Sequence, residues 1–173
     1  MNKVTKAEIV KAIKRGSDNS GSYGSYFQIN GKVGIKVIAF DDKCDFKSIE
    51  ALKQSRVYED AVKEGKMLKE ASKRSRIVAK FYSLETFKVF GYWQVGIVME
   101  HIDGILLSDY CDKDEDAEDY DVRDNIVEML LRKMRKVKVY IHDQNSSNFI
   151  RQGRRWRIID FSPLWVKVSK LPA

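Results

Sequence analysis

Cysteine is scarce in this chain of 173 residues: two occur, Cys44 and Cys111, far apart and in no CxxC or Cys/His spacing. That excludes a disulfide framework and leaves no structural zinc pattern, so a reducing, intracellular setting is expected. Long apolar runs are missing as well. No stretch approaches the roughly 18 residues that a bilayer-spanning helix needs. The N-terminal MNKVTKAEIVKAIKRG is a lysine-bearing amphipathic pattern without the apolar centre of a signal peptide. A soluble, cytoplasmic protein with no membrane partner is the expectation. Neither repeats nor a low-complexity linker interrupt the chain.

What is present is ordinary globular material, 43% hydrophobic and 33% charged, long enough to bury a core in one domain or two small lobes. The formal charge of +7 permits attraction to nucleic acid, nucleotides or acidic proteins without choosing among them. Lys and Arg cluster in LLRKMRKVK (130–138) and in RQGRRWR (151–157) around Trp156. Phosphate backbones, an acidic protein partner, or simply a solvated face with a core Trp would each account for these clusters.

Periodicity orders the elements. Ile9, Val10 and Ile13 form a helical stripe, and SYFQINGKVGIKVIAF predicts two strands joined at Asn30-Gly31 in a type I′ turn. From about Ser48 to Arg76 a helical pattern runs with one break. IVAKFYSL and GYWQVGIVME read as strands. The acidic run from Asp109 to Asp124 reads as a solvated connection. It lacks the sixth-place Gly and closing Glu of an EF-hand loop. NIVEMLLRKMRKVKVYI then predicts a helix with Ile126, Met129, Leu130 and Met134 on one face, and NFIRQGRRWRIIDF a hairpin turning at Gln152-Gly153.

Read singly, the polar residues of these segments are bland: a strand lysine, a helix-surface glutamate, Asx turns, a strand-end aspartate. In order, they form a pattern. Asp143 is followed five places later by Asn148 and twelve places after that by Asp160. Upstream stand NSGSYGSYF, VGIK, EGKML and VMEHIDG. Together these pieces resemble the protein-kinase-like family in a very short form, similar to compact bacterial effector-type or phage kinases, over approximately residues 16 to 162.

The resemblance implies an α+β fold: a β-rich N-lobe over residues 1–104 with an αC-type helix, and a minimal C-lobe over 105–173. It implies a glycine-rich loop at Gly21, Ser22 and Gly24, with Asn19 in the first glycine's place. Lys36 would hold the α- and β-phosphates of ATP and Glu64 would pair with it. Met99 would stand at the gatekeeper place of the nucleotide site, and Glu100 to Ile102 would lie along the adenine. Asp143 would orient or deprotonate the acceptor hydroxyl, and Asn148 and Asp160 would hold Mg²⁺.

Departures from the family pattern accompany the matches. Ile141 stands where the usual His would, with His142 displaced by one; Asn145 replaces a common lysine; Ser162 replaces the Gly after Asp160-Phe161. Eleven residues follow Ser162, so a standard activation segment and protein-substrate groove are not expected. Two functions stay open. One is an ATP- and Mg²⁺-dependent phosphotransferase acting on a hydroxyl, with protein Ser/Thr (its own included) as the expected acceptor. The other is a non-catalytic kinase-like module that engages an activating protein or, less readily, nucleic acid.

Overall fold

The computed structural model describes residues 4–16, 19–21, 24–38, 45–111, 118–161 and 166–169. They divide into two units, Met1–Lys66 with Phe81–His101, and Met67–Lys80 with Ile102–Ala173. Among the described residues, no helix is long and apolar enough to cross a membrane.

The first unit begins with α1 (Lys6–Arg15), started by a capping box. The Thr5 amide donates to the Glu8 carboxylate at 2.8 Å and the Glu8 amide returns a bond to the Thr5 hydroxyl oxygen. The bond from the Thr5 amide, and after it the one from the hydroxyl, holds the Glu8 carboxyl below its usual range. Strands β1 (Asn19–Gly21), β2 (Gly24–Asn30) and β3 (Val33–Ile38) follow. They join β4 (Phe81–Val89) and β5 (Tyr92–Glu100) in an antiparallel sheet of order β1-β2-β3-β5-β4. Strand alternation sends Phe27, Ile35, Val37, Phe87 and Val98 to one face, where Ile9, Ala12 and Ile13 of α1 close the core. Lys36 and its register partners Tyr26 and Ile97 belong to the other face.

Between β3 and β4 run α2 (Ile49–Lys53) and α3 (Arg56–Arg74). The expected single break falls at Gln54-Ser55. The Ser55 hydroxyl donates to the Leu52 carbonyl at 2.6 Å and accepts the Tyr58 amide at 3.2 Å, so one side chain ends the first helix and caps the second. Two details differ from the sequence reading. Asn30 pairs with Val33, and neither Asn30 nor Gly31 takes a positive φ. The Asn30 side chain instead accepts the amides of Lys32 and Val33, closing the turn as an Asx motif rather than as type I′. The positive pair lies at Phe90 (φ 50°) and Gly91 (φ 89°), between β4 and β5.

The strand expected at 77–84 begins instead at Phe81. Residues 77–79 are held in the second unit: Ile158 donates to the Ile77 carbonyl at 2.7 Å and Ala79 donates to the Ile158 carbonyl at 3.0 Å. That unit contains β6 (Ile105–Leu106), α4 (Leu107–Cys111), α5 (Glu118–Lys136) and β7 (Val139–Ile141). A 3₁₀ turn (Ser146–Asn148) follows, then β8 (Phe149–Gln152), β9 (Arg155–Ile158) and β10 (Val166–Val168). Strands β6, β8 and β9 form one small sheet, β7 and β10 another.

Here too the expected limits shift. Asp109 lies in α4 and α5 starts at Glu118, so much of the expected acidic connection is helical. Carboxylates favour a helix's first turn, so an acidic run is also a helix-start signal. Residues 112–117 lie outside the described residues. The buried face of α5 is Val127, Leu130, Leu131 and Met134, with Ile126 and Met129 only half-buried. The helix stops at Lys136, where Lys138 takes a left-handed φ of 61°, and β7 continues. The hairpin turn sits one residue later than expected: Gln152 pairs with Arg155, and Gly153 takes φ 58°. Arg74, at the end of α3, donates to the carbonyls of Val137, Lys138 and Ser169 and so ties these turns together.

Candidate functional site

In the first unit, Lys36 Nζ lies 2.8 Å from Glu64 Oε1, with 12% and 7% of the side chains exposed. Strand β3 fixes the lysine and α3 supplies the glutamate. The approach of α3 to the sheet depends on the next residue. A Cβ built on Gly65 would stand 3.3 Å from Phe81 Cε2, so a side chain there would press against β4. The EG dipeptide thus supplies the charge and the room for it together.

On the same face, Tyr26 stands across from Lys36 and reaches over Gly34. Its hydroxyl is 2.9 Å from His101 Nδ1 and the two rings stack at 6.0 Å. Met99 is buried opposite Gly34, and Glu100 pairs with Val33. Ile102, also buried, belongs to the second unit. Gly21 and Gly24 are register partners at the close of the β1–β2 ladder, beside Asn19 paired with Tyr26. Ser22 lies outside the described residues. Sequence reasoning missed Tyr26, Gly34 and His101 as a group. The available signal was the glycine inside a strand, which often marks a spot where another group approaches closely.

The second unit holds the other constellation. The Asp143 carboxylate accepts the Asn145 amide at 3.0 Å through one oxygen and Asn148 Nδ2 at 2.9 Å through the other. The Asn145 side-chain oxygen in turn accepts the amide and hydroxyl of Ser147, and the Asn148 amide donates to the Asn145 carbonyl. The loop therefore holds its aspartate in one orientation through one backbone amide and one side chain of its own. Asn148 is buried, and its carbonyl accepts the Ile159 amide at 3.0 Å, which sets Asp160 one residue beyond that bond. Phe161 is buried and anchors the chain just after it. His142 is exposed, and Ser162 lies outside the described residues. Trp156, within the basic hairpin, packs edge-on against Tyr110 while Arg151 sits 4.7 Å over that ring, so this aromatic cluster is engaged inside the unit.

The donor set has a definite character. Among the described residues, no group of three or more His, Cys, Asp or Glu is placed to hold a metal. Asn148 commits its amide nitrogen to Asp143, so its side-chain oxygen is the hard donor atom it has left to offer.

This architecture recurs in a crystal structure of WbdD at high resolution (2.2 Å), with a TM-score of 0.57 and 19% identity over 90% of this chain. The chain spans 33% of the WbdD chain. It is a member of the kinase-like superfamily, with a mixed α+β fold. Within it, the model of the family described as lipopolysaccharide core biosynthesis protein (WaaY) matches residues 7–169, and the chain belongs to that family. No curated protein matches it.

Proposed function

We propose that the chain is a phosphotransferase that passes the γ-phosphoryl of ATP to a sugar hydroxyl of a lipopolysaccharide core. The observation that carries this reading is the buried Lys36–Glu64 pair. A buried ion pair gives a fold little that a well-packed apolar pair would not, so it makes more sense as a held ammonium than as glue. The family description points to the acceptor: a core sugar replaces the protein Ser/Thr expected from the sequence.

Phosphoryl transfer needs positioning and charge stabilisation more than covalent chemistry. Lys36 supplies a fixed cation for the phosphates, and Glu64 keeps it aimed. Asp143 is already tethered through both oxygens. Its remaining lone pairs accept the acceptor hydroxyl, orienting that oxygen for in-line attack and taking its proton. Gly21 and Gly24 let backbone amides approach phosphate closely, and Met99, Glu100 and Ile102 border the base. Asn148 and Asp160 offer two hard oxygens. That fits a Mg²⁺ that arrives with the nucleotide, since Mg²⁺ is commonly held by one or two protein ligands plus phosphates. When bound, the ion neutralises charge across the phosphates.

The test is transfer of radiolabelled γ-phosphoryl to purified lipopolysaccharide and to a generic protein acceptor. Label should enter the lipopolysaccharide and be lost in Asp160→Ala. A wild-type chain that binds MgATP but labels neither acceptor would leave the non-catalytic module standing instead.

A further inference from the structure

Helix α1 has a second face that the sheet does not use. While Ile9, Ala12 and Ile13 close the core, the outer side of α1 and the neighbouring edge strand β4 line an open groove of about 620 Å³. Its apolar part is Ala7 and Val10, lying over the buried core residue Phe87; its rim is Lys6, Lys11, Lys14, Arg15 and Lys88. Glu8, the acid on this helix, stays ionised at the Thr5 cap and is not among the residues that line the groove, whose charged rim is all Lys and Arg.

Two residues past Lys88, at the tip of the β4–β5 hairpin, stands Phe90. It is 63% exposed and adopts a left-handed φ of 50°. That turn position suits Asn, Asp or Gly, and a Phe there is strained while burying little. Folding gives no account of it. An apolar prong next to a cation-rimmed aliphatic groove is the surface chemistry of a body that lies on an interface, with lysine stems over hydrocarbon and ammonium heads at phosphates.

We propose that this face docks the protein on an anionic phospholipid bilayer, with α1 along the headgroups and Phe90 inserted at their base. The chain's lack of a spanning run led to the expectation of no membrane partner, but a surface-lying helix leaves no such run to find. The apolar surface the groove offers is Ala7 and Val10, which suits acyl chains and gives a base no aromatic plate within the groove. The proposal rests on groove and hairpin alone and holds whether or not the nucleotide chemistry does.

Cosedimentation of the full chain with vesicles tests it, using phosphatidylcholine alone or mixed with phosphatidylglycerol, without nucleotide. Binding should require the anionic lipid and fall as salt is raised. Replacing Lys6, Lys11 and Lys14 together by Gln should weaken partitioning by about two orders of magnitude, at roughly fivefold per cation near an anionic surface. Phe90→Asn, which suits the turn better, should melt no lower than wild type yet bind vesicles several-fold less. The salt response and this second variant decide the matter if the triple variant folds poorly. Equal binding to neutral vesicles, no loss in Phe90→Asn, or binding to duplex DNA but not to vesicles would each overturn the proposal.

Discussion

The phenol of Tyr26 occupies the space that a β-carbon at position 34 would claim: a Cβ built on Gly34 would stand 1.9 Å from the hydroxyl. A large ring on one strand and an absent side chain on the next are two halves of one contact, fastened by His101 at 2.9 Å. The contact lies on the Lys36 face, so its integrity sets the surface beside the ammonium.

Gly34→Ala should therefore drive the ring from its seat. We expect a loss of about 1 to 3 kcal/mol in urea unfolding, the usual range for overpacking. Adding Tyr26→Val should recover most of it, because the two volumes compensate. A Gly34→Ala protein as stable as wild type would show that the ring has another place to rest.

The Lys36–Glu64 pair makes a separate prediction. Lys36→Met or Glu64→Met alone breaks a buried ion pair and should cost up to about 3 to 5 kcal/mol. The double variant should cost much less than the sum of the two, with the coupling read from a double-mutant cycle of unfolding free energies. Additive losses would mean that other partners satisfy each group.

Gly65 tests how α3 is seated. Ala in place of Gly raises helix propensity by about 1 kcal/mol, whereas the added Cβ would meet Phe81 at 3.3 Å. The two effects oppose, so Gly65→Ala should unfold within about 1 kcal/mol of wild type. Gly65→Leu cannot fit that gap and should lose about 1 to 3 kcal/mol. Thermal or urea melts of the two variants distinguish a tight seat from a loose one.

Features written along the chain were legible in it. The apolar stripe of Ile9 and Ile13 gave α1, and the alternation around Lys36 gave β2 and β3. What crosses the chain was not. Strands of two or three residues, such as β6 and β10, are too short for a period and exist because β8 and β7 offer ladders to join. Asn30-Gly31 predicts a tight left-handed turn, but that turn lies at Phe90-Gly91, because the Asn30 side chain closes the first turn by its own bonds. At the site, the Lys36–Glu64 pair is what the kinase-like resemblance implies, whereas the bond from Asn148 to Asp143 is not, since that resemblance assigns Asn148 to Mg²⁺. Tyr26 over Gly34 depends on strand register and could not be read from the chain.

The last prediction separates holding a nucleotide from activating its acceptor. Asp160 follows Ile159, whose amide bonds to the Asn148 carbonyl, and its carboxylate would bind the cation carried by the phosphates. Asp160→Ala should thus weaken Mg²⁺-dependent ATP affinity and turnover together. Asp143 is tied instead to its own loop by Asn145 and Asn148, with lone pairs left for a hydroxyl. Asp143→Ala should leave ATP affinity nearly intact while lowering transfer by roughly two to four decades, the range for losing a positioned base. Asp143→Asn offers a finer comparison. It can keep the bond from the Asn145 amide, but it sets an NH2 against Asn148 Nδ2 and cannot accept a proton, so transfer should drop with a fall in melting temperature no larger than that of Asp143→Ala. Calorimetric ATP titrations with and without Mg²⁺, run beside label transfer, would read both quantities. Transfer unchanged by Asp143→Ala would remove this aspartate from the reaction, and ATP affinity unchanged by Asp160→Ala would remove the metal role from that one.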